Sequence, residues 1–141
     1  MADPGQVLGI DFGLKFIGVA VGHTLTASAR GLGIVSVRKG VVDWAALDRY
    51  VAEWGPGAIV VGLPLHMDGS TQAFHPQLVH FKNTLESRYS IPVHWQDERL
   101  TTVEAKAQLF ADGGAKHLTK ERIDAKSAEI ILKQWLDIGD Y

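Results

Sequence analysis

The 141-residue sequence predicts an α/β fold: a mixed five-stranded sheet, its first three strands antiparallel, flanked by helices. Three observations carry this expectation. The first part of the chain holds three short apolar runs joined by brief links. From Asp43 the apolar spacing changes to every third or fourth residue. Beyond that point helix-like and strand-like segments alternate.

Residues 7–12 (Val-Leu-Gly-Ile-Asp-Phe) and 16–22 (Phe-Ile-Gly-Val-Ala-Val-Gly) read as strands, and Gly13-Leu14-Lys15 between them is short enough for a hairpin. Residues 32–37 give a third strand after a Gly- and Ala-rich connection, completing an antiparallel meander. Trp44, Leu47, Val51 and Trp54 then mark one face of a helix, with Asp43 as its N-cap and Gly55-Pro56-Gly57 as its stop. Residues 58–63 are an almost unbroken apolar run, as in a strand covered on both faces. A loop with Asp68-Gly69 leads to a second helix from about Gln72 to Tyr89, with Leu78, Phe81, Leu85 and Tyr89 on one side. Residues 91–97 form the fifth strand, and helices near 102–111 and 120–137 finish the chain. Thr101 and Glu104 fit a capping box at the start of the first of these. The polar, Gly-rich Asp112–His117 connection between them is expected to be mobile. The order β-β-β-α-β-α-β-α-α is that of ribonuclease H. No linker or repeat interrupts it, so residues 1–141 read as one domain.

Composition narrows the function. The chain has no cysteine, which excludes a disulfide framework and thiolate metal sites. No signal peptide is visible, and the longest apolar stretch, near Ala58–Leu65, is far short of a membrane span. A soluble, cytoplasmic protein is expected. The formal net charge of −2 argues against a generic nucleic-acid coat. It does not argue against a nuclease, because two bound divalent cations would turn the charge positive.

Three carboxylates stand out. Asp11 lies inside the first strand, on the face opposite Leu8 and Ile10. A charge there is costly unless it is paired or metal-bound, although a polar turn start is an equal reading of Asp11 alone. Asp97 and Glu98 end the fifth strand. Alternation sends them to opposite faces, Asp97 with Val93 and Trp95, Glu98 with His94 and Gln96, so only one can serve a given site. A solvated strand end beside Arg99 is the plainer reading. Asp124 shares a helical stripe with Ala128, Ile131 and Trp135, at the top of a core-facing surface. Pairing with Arg122 or Lys126, or with the helix dipole, would also account for it. The constellation says more than its parts: such carboxylates can converge at one edge of the sheet. Carboxylate oxygens suit one or two hard cations, Mg²⁺ or Mn²⁺, which promote phosphodiester hydrolysis. The six histidines show no zinc-ligand spacing.

Four stretches carry a resemblance: Ile10-Asp11-Phe12-Gly13-Leu14-Lys15-Phe16-Ile17-Gly18-Val19-Ala20, Val60-Val61-Gly62-Leu63-Pro64-Leu65-His66-Met67-Asp68-Gly69, Asp97-Glu98-Arg99-Leu100-Thr101-Thr102-Val103-Glu104-Ala105 and Asp124-Ala125-Lys126-Ser127-Ala128. In this order, from about Gln6 to Leu136, the chain resembles the YqgF/RuvX family of Holliday junction resolvase-like nucleases. The resemblance implies a ribonuclease-H-like fold and an endonuclease that matures the 5′ end of the 16S ribosomal RNA precursor during ribosome biogenesis. It implies that Asp11, Glu98 and Asp124 are the catalytic, metal-holding acids. It also implies that Lys15 and Arg99 are basic positions able to hold phosphates. Leu14 departs from the family, which commonly has a small hydroxyl residue there.

The expected chemistry is in-line attack by water, leaving a 5′-phosphate and a 3′-hydroxyl. Lys116, Lys120 and Arg122 are further candidate phosphate contacts, with a solvated helix start as the plainer reading. The expected partner is nucleic acid: precursor ribosomal RNA, with the ribosomal particle as a possible setting, or branched DNA if the chain is a junction resolvase. Either a monomer or a homodimer is compatible with the sequence, since Trp135 and Leu136 could pack on the core or on a second subunit. A non-catalytic binding module is disfavoured, because clustered negative charge does not help it hold phosphates. A sugar-kinase or actin-like ATPase is disfavoured too, because it needs two such domains and a Gly-rich phosphate loop.

Overall fold

Strand parity and glycine placement decide how helices cover the sheet, and the computed structural model shows both for residues 3–98, 101–139 and 141. In chain order the elements are β1 (Gln6–Asp11), β2 (Phe16–His23), β3 (Ser28–Arg38), β4 (Val41–Val42), α1 (Trp44–Trp54), β5 (Ala58–Leu63), α2 (His75–Tyr89), β6 (Val93–Asp97), α3 (Thr101–Gly113), a single 3-10 turn (Ala115–His117) and α4 (Lys120–Ile138). The sheet order is β4-β3-β2-β1-β5-β6. β1, β2, β3 and β4 pair antiparallel in succession, whereas β5 runs parallel to β1, and β6 parallel to β5. This is the mixed, helix-flanked sheet expected, with an antiparallel start.

Among the differences from the expected elements, four have a clear physical reason. The described residues contain six strands rather than five: β4 is a two-residue edge strand reached through left-handed Lys39 and Gly40, too short to show periodicity. β3 starts at Ser28 instead of residue 32. Its first residues lack alternation but pair with β2 across a bulge, where Val19 faces Gly33, Ala20 faces Gly31 and Leu32 is the extra residue. α2 starts at His75 rather than Gln72, with Pro76 in its first turn, where a missing N–H costs nothing. The 112–117 connection is not wholly irregular, since α3 continues to Gly113 and a 3-10 turn follows. The Asp43 cap is present, its Oδ1 accepting from the Ala46 N–H at 3.2 Å. Arg99 lies outside the described residues, as does the Thr101 side chain needed for the capping box.

The two faces of the sheet bury different cores. Leu8, Ile10, Val19, Val35, Ile59 and Val61 point toward α1 and α2 and meet Leu47, Leu78, Phe81 and Leu85. Val7, Ala20, Ala58 and Val60 point the other way and meet Ala128, Ile131, Leu132, Trp135 and Leu136 of α4. Trp135 and Leu136 therefore pack on this chain's own core. On the α4 side the sheet is lined by small residues, so the helix backbone comes close. A Cβ on Gly18 would stand 2.0 Å from the Asp124 carbonyl oxygen, and one on Gly9 would stand 2.6 Å from Leu132 Cβ. Glycine at these positions seats the first turns of α4 directly over β1 and β2.

Candidate active site

Asp11 ends β1 on the α4 face, as its parity with Val7 and Gly9 requires. Its partner across the antiparallel ladder is Gly18, the residue on which the Asp124 backbone rests. The same missing side chain thus brings the first-strand Asp and the helical Asp together. Asp124 is 5% exposed and lies on the stripe that buries Ala128, Ile131 and Trp135. Glu98 follows β6 on the parity of His94, whose ring stacks on Trp135 of α4. Its backbone N–H donates to the Leu63 carbonyl at 3.2 Å. A Cβ on Gly62 would stand 2.7 Å from Glu98 Oε2, so the glycine in β5 vacates the space that the Glu98 carboxylate fills.

Asp11, Glu98 and Asp124 all line one cleft of about 410 Å³. The wall is completed by Phe12 and Gly13 after β1, by Pro64, Leu65, Gln72 and Phe74 from the β5–α2 connection, and by Lys120 and Ile123 of α4. The connection is folded back on itself by a Leu65–Thr71 bridge and a turn in which the Ser70 N–H and hydroxyl donate to Asp68 Oδ1. Its contribution is the part of the site that sequence reasoning missed. The available signal was Pro64, which stops β5 beside the end of β1, where parallel strands deliver a cleft.

The electrostatics are those of acids held together away from water. Burial pushes the Asp11 carboxyl up, with the nearby Asp124 charge adding to it and a hydrogen bond from Glu98 opposing. Burial also pushes Glu98 well up, reinforced by the Asp11 charge. The two carboxyls are hydrogen-bonded, and the repulsion between adjacent desolvated carboxylates favours a proton shared between them. Burial raises Asp124 as well, against the pull of Lys120. Lys120 Nζ donates to Asp124 Oδ1 at 2.8 Å. The partner of Asp124 is thus Lys120, not Arg122 or Lys126; Lys126 pairs with Glu129.

The donor set fits a hard divalent cation. All three groups offer carboxylate oxygens, and Asp124 Oδ2 is buried without a hydrogen-bond partner. Among the described residues, however, no three acidic or histidine side chains already stand in ligand spacing. Lys120 occupies one oxygen of Asp124 and would have to give way to a cation there.

The basic positions divide. Lys120 lines the cleft. Lys15 is exposed on the β1–β2 turn, two residues from Gly13, and its side chain does not line the cleft. Lys116 and Arg122 are exposed outside it. Leu14 is 57% exposed on the same turn as Lys15.

Comparison with known proteins agrees with this reading of the fold. The family model RuvX, described as Holliday junction resolvase, matches residues 5–138. A protein of Colwellia psychrerythraea named "Putative pre-16S rRNA nuclease" is 50% identical over 131 residues, covering 93% of this chain and 88% of its own length. One of the same name from Edwardsiella ictaluri is 47% identical over 135 residues and 96% of both chains. Among solved structures, T. thermophilus RuvC in complex with a Holliday junction superposes with a TM-score of 0.61 at 17% identity, covering 94% of each chain. Fowlpox virus resolvase with its Holliday junction DNA gives 0.58 at 10% identity, over 96% of this chain and 99% of the other. At these identities the structures speak for the fold alone. With a family match across almost the whole chain and relatives close to half identical, this chain belongs to the RuvX family of nucleases and has the ribonuclease-H-like fold of the RuvC resolvases.

Proposed function

We propose that this protein is a divalent-metal-dependent endonuclease that matures the 5′ end of the 16S ribosomal RNA precursor, with Asp11, Glu98 and Asp124 as its catalytic acids. The observation that carries the proposal is the meeting of three carboxyls from three distant parts of the chain in one cleft, Asp124 buried and Asp11 and Glu98 half-buried, all with pKa values raised by desolvation. Burying like charges together opposes folding, and a site that binds a cation gives that arrangement a use. The names of relatives close to half identical over nearly the whole chain support an RNA substrate.

When bound, Mg²⁺ or Mn²⁺, as one or two ions, would supply charge neutralisation and an activated water. The chain's own residues do the rest. Asp11 and Glu98, once deprotonated, would offer carboxylate oxygens to the ion. Asp124 would hold it from the helix side in place of Lys120. Lys120, freed, would be available to a phosphate of the bound strand, with Lys15 and Arg99 as further proposed phosphate contacts. The products are a 5′-phosphate and a 3′-hydroxyl. The setting is the cytoplasm, on free precursor RNA or on the ribosomal particle.

A second reading, DNA junction resolution, has the family's description in its favour. One experiment separates the two. The purified protein is given a short RNA spanning the precursor 5′ junction, with Mg²⁺, Mn²⁺ or chelator, beside an equimolar DNA four-way junction. Metal-dependent RNA cleavage, lost in Asp11→Asn, is the expected result. Cleavage of the junction alone, by a dimer, would replace the RNA reading with the resolvase one. Full activity of a purified Asp11→Asn would overturn the assignment of the acids.

A further inference from the structure

A second cavity, of about 480 Å³, lies on the α2 side of the sheet and shares one wall residue with the acidic cleft. Phe12, the residue after Asp11, lines both. The floor is aromatic: Phe12 lies 4.9 Å from Phe81, and Phe81 lies 5.6 Å from Trp44, centroid to centroid. Leu14 and Val41 stand at the edge, 57% and 67% exposed. Gln77 and His80, one turn apart and exposed on α2, supply polar groups at the rim. No Asp, Glu, Lys or Arg is among the described residues that line it.

We propose that this cavity is a nucleobase subsite: it holds one unpaired base of the substrate strand, next to the phosphate placed in the acidic cleft. The proposal rests on the nuclease reading above for its partner, and on the following chemistry for its site. A phosphate or a charged peptide would find no counter-charge here. A flat, neutral, largely apolar ring with polar edges suits apolar walls and an amide and imidazole rim. The volume admits one nucleoside with room to spare. Gln77 offers both a donor and an acceptor to a base edge. The position is right as well: Asp11 and Phe12 are consecutive at the end of β1, so a strand whose phosphate lies on one side of that end has its neighbouring base within reach of the other. Leu14, exposed at the rim, adds apolar surface for the ring beside the hydrogen-bonding groups of Gln77.

The test uses the full chain carrying Asp11→Asn, with Mg²⁺, and a set of single-stranded RNA decamers spanning the precursor junction, each lacking one base. Binding of a base to apolar and aromatic side chains predicts that one position, beside the scissile phosphate, weakens binding by roughly tenfold when its base is removed. Adding Leu14→Asp or Gln77→Ala, both exposed and remote from the core, should erase that position's penalty and leave the others unchanged. Decamers that bind with no position-dependent penalty, or a penalty that persists in both variants, overturn the subsite and leave the nuclease reading intact. A groove for a protein partner would give that result. If no decamer binds, free single-stranded RNA is not the substrate. The subsite is then judged by adenosine and cytidine alone, followed through backbone amide shifts. Shifts clustered at Leu14, Trp44 and His80 uphold it, and their absence overturns it.

Discussion

The two faces of the sheet follow different rules. Toward α1 and α2 the strands present Leu, Ile and Val, and the helices answer with Leu and aromatic side chains. Toward α4 they present glycine, alanine and valine, and the helix backbone itself comes down onto the sheet. The first face gains stability from side-chain volume. The second gives up that volume for proximity, and the proximity is used to set Asp124 against Asp11. Neutral side chains would be the stable occupants of that junction, and three carboxyls are there instead. One face builds the fold and the other builds the site.

If that division holds, substitutions on the two faces should separate activity from stability. Asp11→Asn is expected to lower metal-dependent cleavage by about a thousandfold, on the order of 4 kcal/mol of transition-state stabilisation, while the protein unfolds no more easily than the parent. Leu8→Ala, three residues earlier on the opposite face, should do the reverse. Leu8 is fully buried, and its loss should cost about 2–5 kcal/mol in urea unfolding, with cleavage per folded molecule retained. Equal damage to both properties by either change would mean that the faces are not independent.

Gly18→Ala sharpens the comparison, because it tests proximity without touching a carboxylate. The added methyl would stand 2.0 Å from the Asp124 carbonyl oxygen, and that neighbour is backbone, which cannot swing aside. A cost of about 1–3 kcal/mol is expected, with a larger loss of cleavage than Leu8→Ala causes. A variant that folds as the parent does and cleaves normally would show that α4 need not rest on β2.

How much of this was legible in the sequence follows from the range of the signals. Asp11 and Asp124 are placed by local periodicity, parity along a strand and a stripe along a helix, and those rules survive into the structure. Glu98 is placed by parity with His94. The two-residue β4 has no period to read. The choice of Lys120 over Arg122 or Lys126 as the partner of Asp124 depends on which side of α4 the sheet leaves open. The cleft wall of Pro64, Leu65, Gln72 and Phe74 exists only because β5 runs beside β1, a long-range pairing that no local pattern announces.

The pH dependence of the metal-free protein gives a smaller effect. Burial raises the Asp11 and Glu98 carboxyls in the folded chain, so the native state binds more protons than the unfolded one. Their contribution to stability is fully present below the ordinary carboxylate range, near pH 4, and is lost as the pH rises through the raised folded values. In chelator, unfolding free energy should therefore fall from pH 4 toward pH 8, by about 1–2 kcal/mol more in the parent than in Asp11→Asn. Millimolar Mg²⁺ at pH 8 should restore the parent and leave the variant nearly unchanged. Parallel pH profiles for the two would remove the shared proton from the account.

The smallest expected effect concerns Lys120, the one cation among the described residues that line the cleft. Its ammonium sits 2.8 Å from Asp124 Oδ1, while Oδ2 of the same carboxylate is buried and unpaired. Two thirds of the Lys120 side chain is exposed, so the pair is weakly held and screened by salt. A divalent ion arriving at Asp124 has to displace it. Lys120→Met should then tighten Mn²⁺ binding by about threefold in calorimetry at low salt, the scale of an exposed ion pair, with the gain shrinking as salt is added. Cleavage at saturating metal should nonetheless fall through a raised KM for RNA if the freed ammonium contacts a phosphate, as proposed above. Weaker metal binding in Lys120→Met would give the residue a different part: it would hold Asp124 in a receptive rotamer, and the α4 face would then owe its geometry to that ion pair as well as to the glycines beneath it.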